Sequence, residues 1–187
     1  EIAALTNEYR CAACTQLAKL YVMDGQYAEG VQYARKSLIG NAYNIEGLKM
    51  LYMASDCLSE DAEAVLSAIE NCDPLNDFVR FERYWADPDE KNRTAFQSLI
   101  RNEMAVQNYL ELAIWYYSIG QVGRAEKVLS MSPGDAETAY WRAYLSQDRE
   151  LLEKADVSDV SFVFPFREES VPVFEWAMKE SGNWRSG

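Results

Sequence analysis

An all-α solenoid of about five antiparallel helix pairs plus a final helix is what this sequence predicts, and three observations carry that reading. Gly and Pro are scarce, at 9 and 5 of 187 residues, against 12 Tyr, 7 Phe and 5 Trp. That balance suits packed helices better than a turn-rich β-sandwich. Hydrophobic residues make up 49% of the chain, enough to bury a core as one array over 1–187 and to exclude intrinsic disorder. Finally, the sequence repeats itself: Leu17-Ala18, Tyr21, Gly25 and Gln26 return with identical spacing as Leu112-Ala113, Tyr116, Gly120 and Gln121.

In each copy the apolar and small residues fall three or four apart, on one helical stripe. Gly25 and Gly120 follow the last periodic residue, where a glycine can take the left-handed conformation that turns a chain back. A second helix follows at once, through Tyr27, Gly30, Val31, Ala34 and Leu38 in the first copy and Val122, Ala125, Val128 and Leu129 in the second. Ser132-Pro133-Gly134 cuts the latter short.

These positions resemble the tetratricopeptide repeat family. Its pattern of large residue, Leu-Gly/Ala, Tyr, Gly-x-Tyr and a small residue is met by Cys14, Leu17, Ala18, Tyr21, Gly25, Tyr27 and Gly30, and again by Tyr109, Leu112, Ala113, Tyr116, Gly120, Val122 and Ala125. Ala42 stands where the family usually closes a repeat with Pro. The resemblance implies a right-handed superhelix whose first helices line a concave groove, with the small residues letting paired helices approach.

Between the two copies the helical rhythm continues. Ile45 to Cys57 reads as a helix, and Ser59 as the N-cap of another running to Asn71 before Asp73-Pro74. Asp77 to Trp85 starts a further pair. Asp87-Pro88-Asp89-Glu90 supplies an N-cap, a Pro at the first helical position and a capping-box Glu for a helix to Arg101. Asp135 and Asp148 open helices reaching about Gln147 and Ala155.

Val157 to Phe166 breaks the rhythm. Ser161 to Arg167 is apolar and carries Pro165, so it is expected to be extended and tucked onto the array. Ser170-Val171-Pro172 begins a last helix that Gly182 ends, with Phe174, Trp176 and Met178 on it. From about residue 160 the string Phe164-Pro165-Phe166-Arg167-Glu168-Glu169 followed by Val173-Phe174-Glu175-Trp176-Ala177 resembles large Bacteroides-type tetratricopeptide proteins that carry a domain of unknown function. Asn183-Trp184-Arg185 looks like the opening of a further repeat. The expectation is therefore a segment of a longer protein, with an uncapped last helix open to self-association.

Chemistry is sparse. With no His among 187 residues, the usual Ser-His and Cys-His bases and the commonest zinc ligand are missing. Acidic residues fall at helix starts and exposed faces, where capping and solvation account for them, which leaves a carboxylate-based enzyme acting on carbohydrate as a distant alternative. Cys11 and Cys14 share a helix face, but Cys57 and Cys72 are not a second close pair of the kind zinc sites use; Cys14 reads as a core residue. Four unpaired thiols suit a reducing compartment. No phosphate-binding glycine loop is present, and no cofactor or metal is expected.

The net charge of −12 repels nucleic-acid phosphate, and Lys and Arg form no basic stripe. No apolar run approaches the ~20 residues that span a bilayer. The N-terminus lacks a signal peptide's basic and apolar regions, and a start at Glu1 leaves the compartment open.

The expected function is protein or peptide binding, with a spacer that positions another domain as the alternative. In the tetratricopeptide register the groove lining is Ala12, Thr15, Lys19 and Val22 in the first pair, Glu46, Lys49 and Met53 in the second, and Gln107, Leu110, Ile114 and Tyr117 in the fourth. A contiguous aromatic strip would favour reception; a uniformly charged groove would favour the spacer. Of the aromatic groups Tyr84-Trp85, Trp115-Tyr116-Tyr117 and Tyr140-Trp141, each must divide between core and surface because adjacent helical residues point about 100° apart.

Overall fold

The computed structural model describes residues 6–60, 62–100, 105–161 and 163–181, and among these there is no strand. The chain forms two compact units, Glu1–Asp87 and Pro88–Gly187, each described by itself below. No described helix is long and apolar enough to cross a membrane.

In the first unit Thr6 caps α1 (Asn7–Met23), its side chain accepting from the Tyr9 amide. Gly25 takes φ +73 and turns the chain into α2 (Tyr27–Ile39). The pair is antiparallel: the start of α2 lies against the end of α1, with Gly30 beside Val22, and Gly40 at its far end lies beside Cys11 and Asn7. Gly30 also faces Ala54 of α3 (Ile45–Cys57), so one small residue serves two helix contacts. Asn44 caps α3 by accepting from the Gly47 amide, while its own amide nitrogen donates to Thr15 Oγ1 at 2.9 Å, tying α3 to α1.

At Gly47 α3 packs tightly against α2. A Cβ there would stand 2.3 Å from Ser37 Oγ and 2.9 Å from Asn44 Nδ2. Ser37 is fully buried, and its hydroxyl donates to the Ala34 carbonyl at 2.7 Å. Gly47→Ala is therefore expected to cost about 1–3 kcal/mol of stability through overpacking; a denaturation midpoint equal to wild type would contradict this contact.

The helix α4 (Glu63–Cys72) starts later than the sequence suggests. Ser59 is not its N-cap: it sits at φ +58 in the turn that closes α3, its amide donating to the Asp56 carbonyl. The following α5 (Asp77–Ala86) is joined to α4 by Arg80 and Arg83, both on Glu70 at 2.9 and 2.8 Å. The Arg83 hydrogen bond holds the Glu70 carboxyl below its ordinary range.

In the second unit α6 (Glu90–Leu99) is capped by Asp89, not Asp87, because Asp89 Oδ1 accepts from the Asn92 amide at 2.6 Å. The expected end at Arg101 lies outside the described residues. Next, α7 (Ala105–Ser118) turns through Gly120, at φ +78, into α8 (Val122–Ser130). Asp135 and Thr138 form a reciprocal capping box at the start of α9 (Ala136–Ser146), and Asp148 caps α10 (Arg149–Asp156). After a non-helical stretch, a 3₁₀ turn at Glu168–Ser170 leads into α11 (Val171–Ser181). Gly182, the expected end of that helix, and Asn183-Trp184-Arg185 lie outside the described residues.

Here α10 runs antiparallel to α9 and α11. Tyr140 of α9 reaches Asp156 at the end of α10, and Arg149 at the start of α10 pairs with Glu180 at the end of α11. The core centres on Trp141, Tyr116, Leu110, Leu129 and Leu152, all essentially inaccessible.

Candidate interaction surface

Burial divides the expected groove residues. Thr15, Val22, Met53, Leu110 and Ile114 are buried, with Met53 and Leu110 at 0% exposure. They do not line a surface; they belong to the helix packing. Thr15 shows the reason: its hydroxyl donates to the Cys11 carbonyl and accepts from Asn44, so the stripe read as open faces the next helix. Leu110→Glu would accordingly bury an unpaired charge and test folding, not binding. Ala12 and Glu46 are exposed, and Lys19, Lys49, Gln107 and Tyr117 are half-buried.

In the first unit Ala12, Thr15 and Glu46 share a depression of about 370 Å³ with Asn7, Cys11 and Asn44. Lys49 Nζ lies 3.0 Å from Glu46 Oε1 and 5.6 Å from the centre of the Phe78 ring. Cys11, which faces Gly40, is buried, whereas Cys14, expected in the core, is only half-buried. Among the described residues no Cys, Asp and Glu side chains gather as a metal-ligating group.

The second unit brings together residues that the helical register did not connect. Tyr144 of α9 stands between Tyr117 of α7 and Trp176 of α11, with ring centres 6.0 and 5.7 Å away and ring planes near perpendicular. All three are half-buried. Beneath them Trp141 is fully buried against Tyr117 and Tyr144. One aromatic row thus crosses three neighbouring helices. Such edge-to-face pairs contribute about 0.5–1.5 kcal/mol each beyond area burial, which holds the row's geometry.

The Tyr117 and Tyr144 hydroxyls are 3.0 Å apart. That hydrogen bond, together with burial and the neighbouring phenol, pushes the Tyr117 pKa up to about 12, so Tyr117 stays a neutral donor and acceptor at ordinary pH. Trp141 Nε1 donates to Ser170 Oγ at 3.0 Å, and the Ser170 hydroxyl donates to Glu137 Oε1 at 2.8 Å. This chain of bonds pins the start of α11 onto α9. Tyr140 and Trp141 are both buried, so this pair does not divide between core and surface as expected.

The stretch before α11 is non-helical, as its Pro requires, but it is not tucked in. Phe164 and Phe166 are 77% and 72% exposed, and Phe162 lies outside the described residues. Arg167 anchors the stretch: its guanidinium lies over the Phe166 ring, 4.4 Å from the centre, and donates to Gln107 of α7.

No family model matches the chain, and no curated protein matches it. Among solved structures, one described as "Crystal structure of MamA protein" is similar at 15% identity over 92% of each chain, with a TM-score of 0.41.

Proposed function

We propose that this chain is a tetratricopeptide-like scaffold that binds a protein or peptide, and that the aromatic row of the second unit is its contact surface. The row of Tyr117, Tyr144 and Trp176 is the observation that supports this reading. Half-buried Tyr and Trp side chains combine a large apolar area with a polar tip and little rotamer freedom, the properties enriched where proteins hold partners. A pure spacer has no use for a contiguous aromatic strip, and a carbohydrate-cleaving enzyme would need two free carboxyls facing one cleft. In the second unit the buried Asp156 and Glu137 are instead bonded to Tyr140 and Ser170.

The test is selection from a random peptide display library on wild type and on a Tyr144→Ser, Trp176→Ser double variant, with circular dichroism to confirm that both are folded. Wild type should enrich related peptides and the variant should not. Equal enrichment on both proteins would sink the assignment of the surface.

A further inference from the structure

We infer that the outer face of α1 docks on the same face of a second copy of this chain, the two helices running antiparallel about a two-fold axis. At about 100° per residue, the buried Cys11, Thr15, Ala18 and Val22 occupy one side of α1, and Tyr9, Ala13 and Leu20 fall on the opposite side. An amphipathic helix ordinarily turns charged and polar residues to water there. In α1 that side is apolar instead: Tyr9, Leu20 and Met23 are 67%, 57% and 52% exposed.

The face is complementary to itself. Toward its C-terminal end Leu17, Leu20, Tyr21, Met23 and Asp24 line a hollow of about 490 Å³, and Tyr9 projects from its N-terminal end. In an antiparallel pair, residues equally distant from the Gln16–Leu17 midpoint stand opposite one another. Small Ala13 then meets Leu20, and Tyr9 enters the hollow of the other copy, where Met23 offers its sulfur to the ring. Each contact is made twice, as an isologous interface requires.

Charge favours the same register. Arg10 and Asp24 are both exposed, lie along one edge of the face and stand almost equally far from its midpoint. A two-fold antiparallel pair brings like edges together, so each Arg10 meets the other copy's Asp24; a parallel pair would set Arg10 on Arg10 and Asp24 on Asp24. Among the described residues Arg10 has no ion pair, and the Asp24 carboxylate accepts from Gln26 through Oδ2, leaving Oδ1 for the guanidinium. One helix face is smaller than the roughly 800 Å² per partner of a standard interface. The pair is therefore expected to form in about the micromolar to millimolar range.

The test is sedimentation of the whole chain over a concentration series up to about 1 mM, with circular dichroism on each variant. Wild type should pass from one chain to two as concentration rises. Leu20→Glu, a change at an exposed position that leaves the core untouched, should raise the dissociation constant about tenfold or more by setting a carboxylate in the apolar contact. Arg10→Asp and Asp24→Arg should each weaken the dimer several-fold, and the two together should restore it, because the exchanged charges face each other again. A wild type of one chain at every concentration would overturn the proposal. So would a dimer that survives Leu20→Glu, as one formed through the last helix would. Loss on Leu20→Glu without recovery in the charge-exchanged variant would overturn the antiparallel register.

Discussion

Trp141→Ala is expected to lower the stability of the second unit by about 3–5 kcal/mol, the range for removing a large buried aromatic. Trp141 is at 0% exposure, packs against Tyr117 and Tyr144, and donates to Ser170. Its loss creates a cavity under the aromatic row and removes a donor from a buried chain of bonds. That chain has no slack, because Glu137 is 1% exposed and its Oε2 is already without a hydrogen-bond partner. Trp141→Phe should cost less, since it keeps most of the volume and forfeits chiefly the N–H bond, about 1–3 kcal/mol. Chemical denaturation of both variants separates the terms; a loss below about 1 kcal/mol for Trp141→Ala would contradict the packing described.

The second large effect is Ala125→Trp. Ala125 is fully buried on α8 at the position corresponding to Gly30 of α2, where the space left by the missing side chain is filled by Val22 and Ala54. An indole there must push α7 and α8 apart. Overpacking typically costs about 1–3 kcal/mol, and a change of this size in an inaccessible site should reach or exceed the upper end. The melt followed by circular dichroism should shift to lower temperature and broaden; a curve superimposable on wild type would mean that α8 does not present this residue to its neighbours.

The helix pairs were legible because glycines mark their turns. Gly25 and Gly120 adopt the left-handed conformation that their position after an apolar stripe implies, and Asp135 and Asp148 cap helices where their spacing suggests. Ser59 misled because a Ser can serve a left-handed turn as well as an N-cap, and the choice depends on how α3 ends. The groove was harder to read. Periodicity shows that a helix has apolar stripes but not which neighbour each meets, so the repeat register puts Thr15, Val22, Met53, Leu110 and Ile114 on an open face although packing covers them. The aromatic row escaped because Tyr144 and Trp176 belong to helices without the repeat signature, and only packing brings them to Tyr117. Phe164 and Phe166 show the reverse limit: apolar composition argued for burial, while Arg167 fixes the stretch with both rings outside.

The central claim, that partners are held on the aromatic row, is tested most directly by the indole N–H signals in a ¹⁵N-correlated NMR spectrum, with Trp176 assigned by its absence in Trp176→Phe. On addition of a peptide selected on wild type, the Trp176 signal should move in proportion to occupancy, while Trp85 of the first unit stays in place. A Trp176 signal unmoved at saturation, or a shift confined to Trp85, would contradict the account.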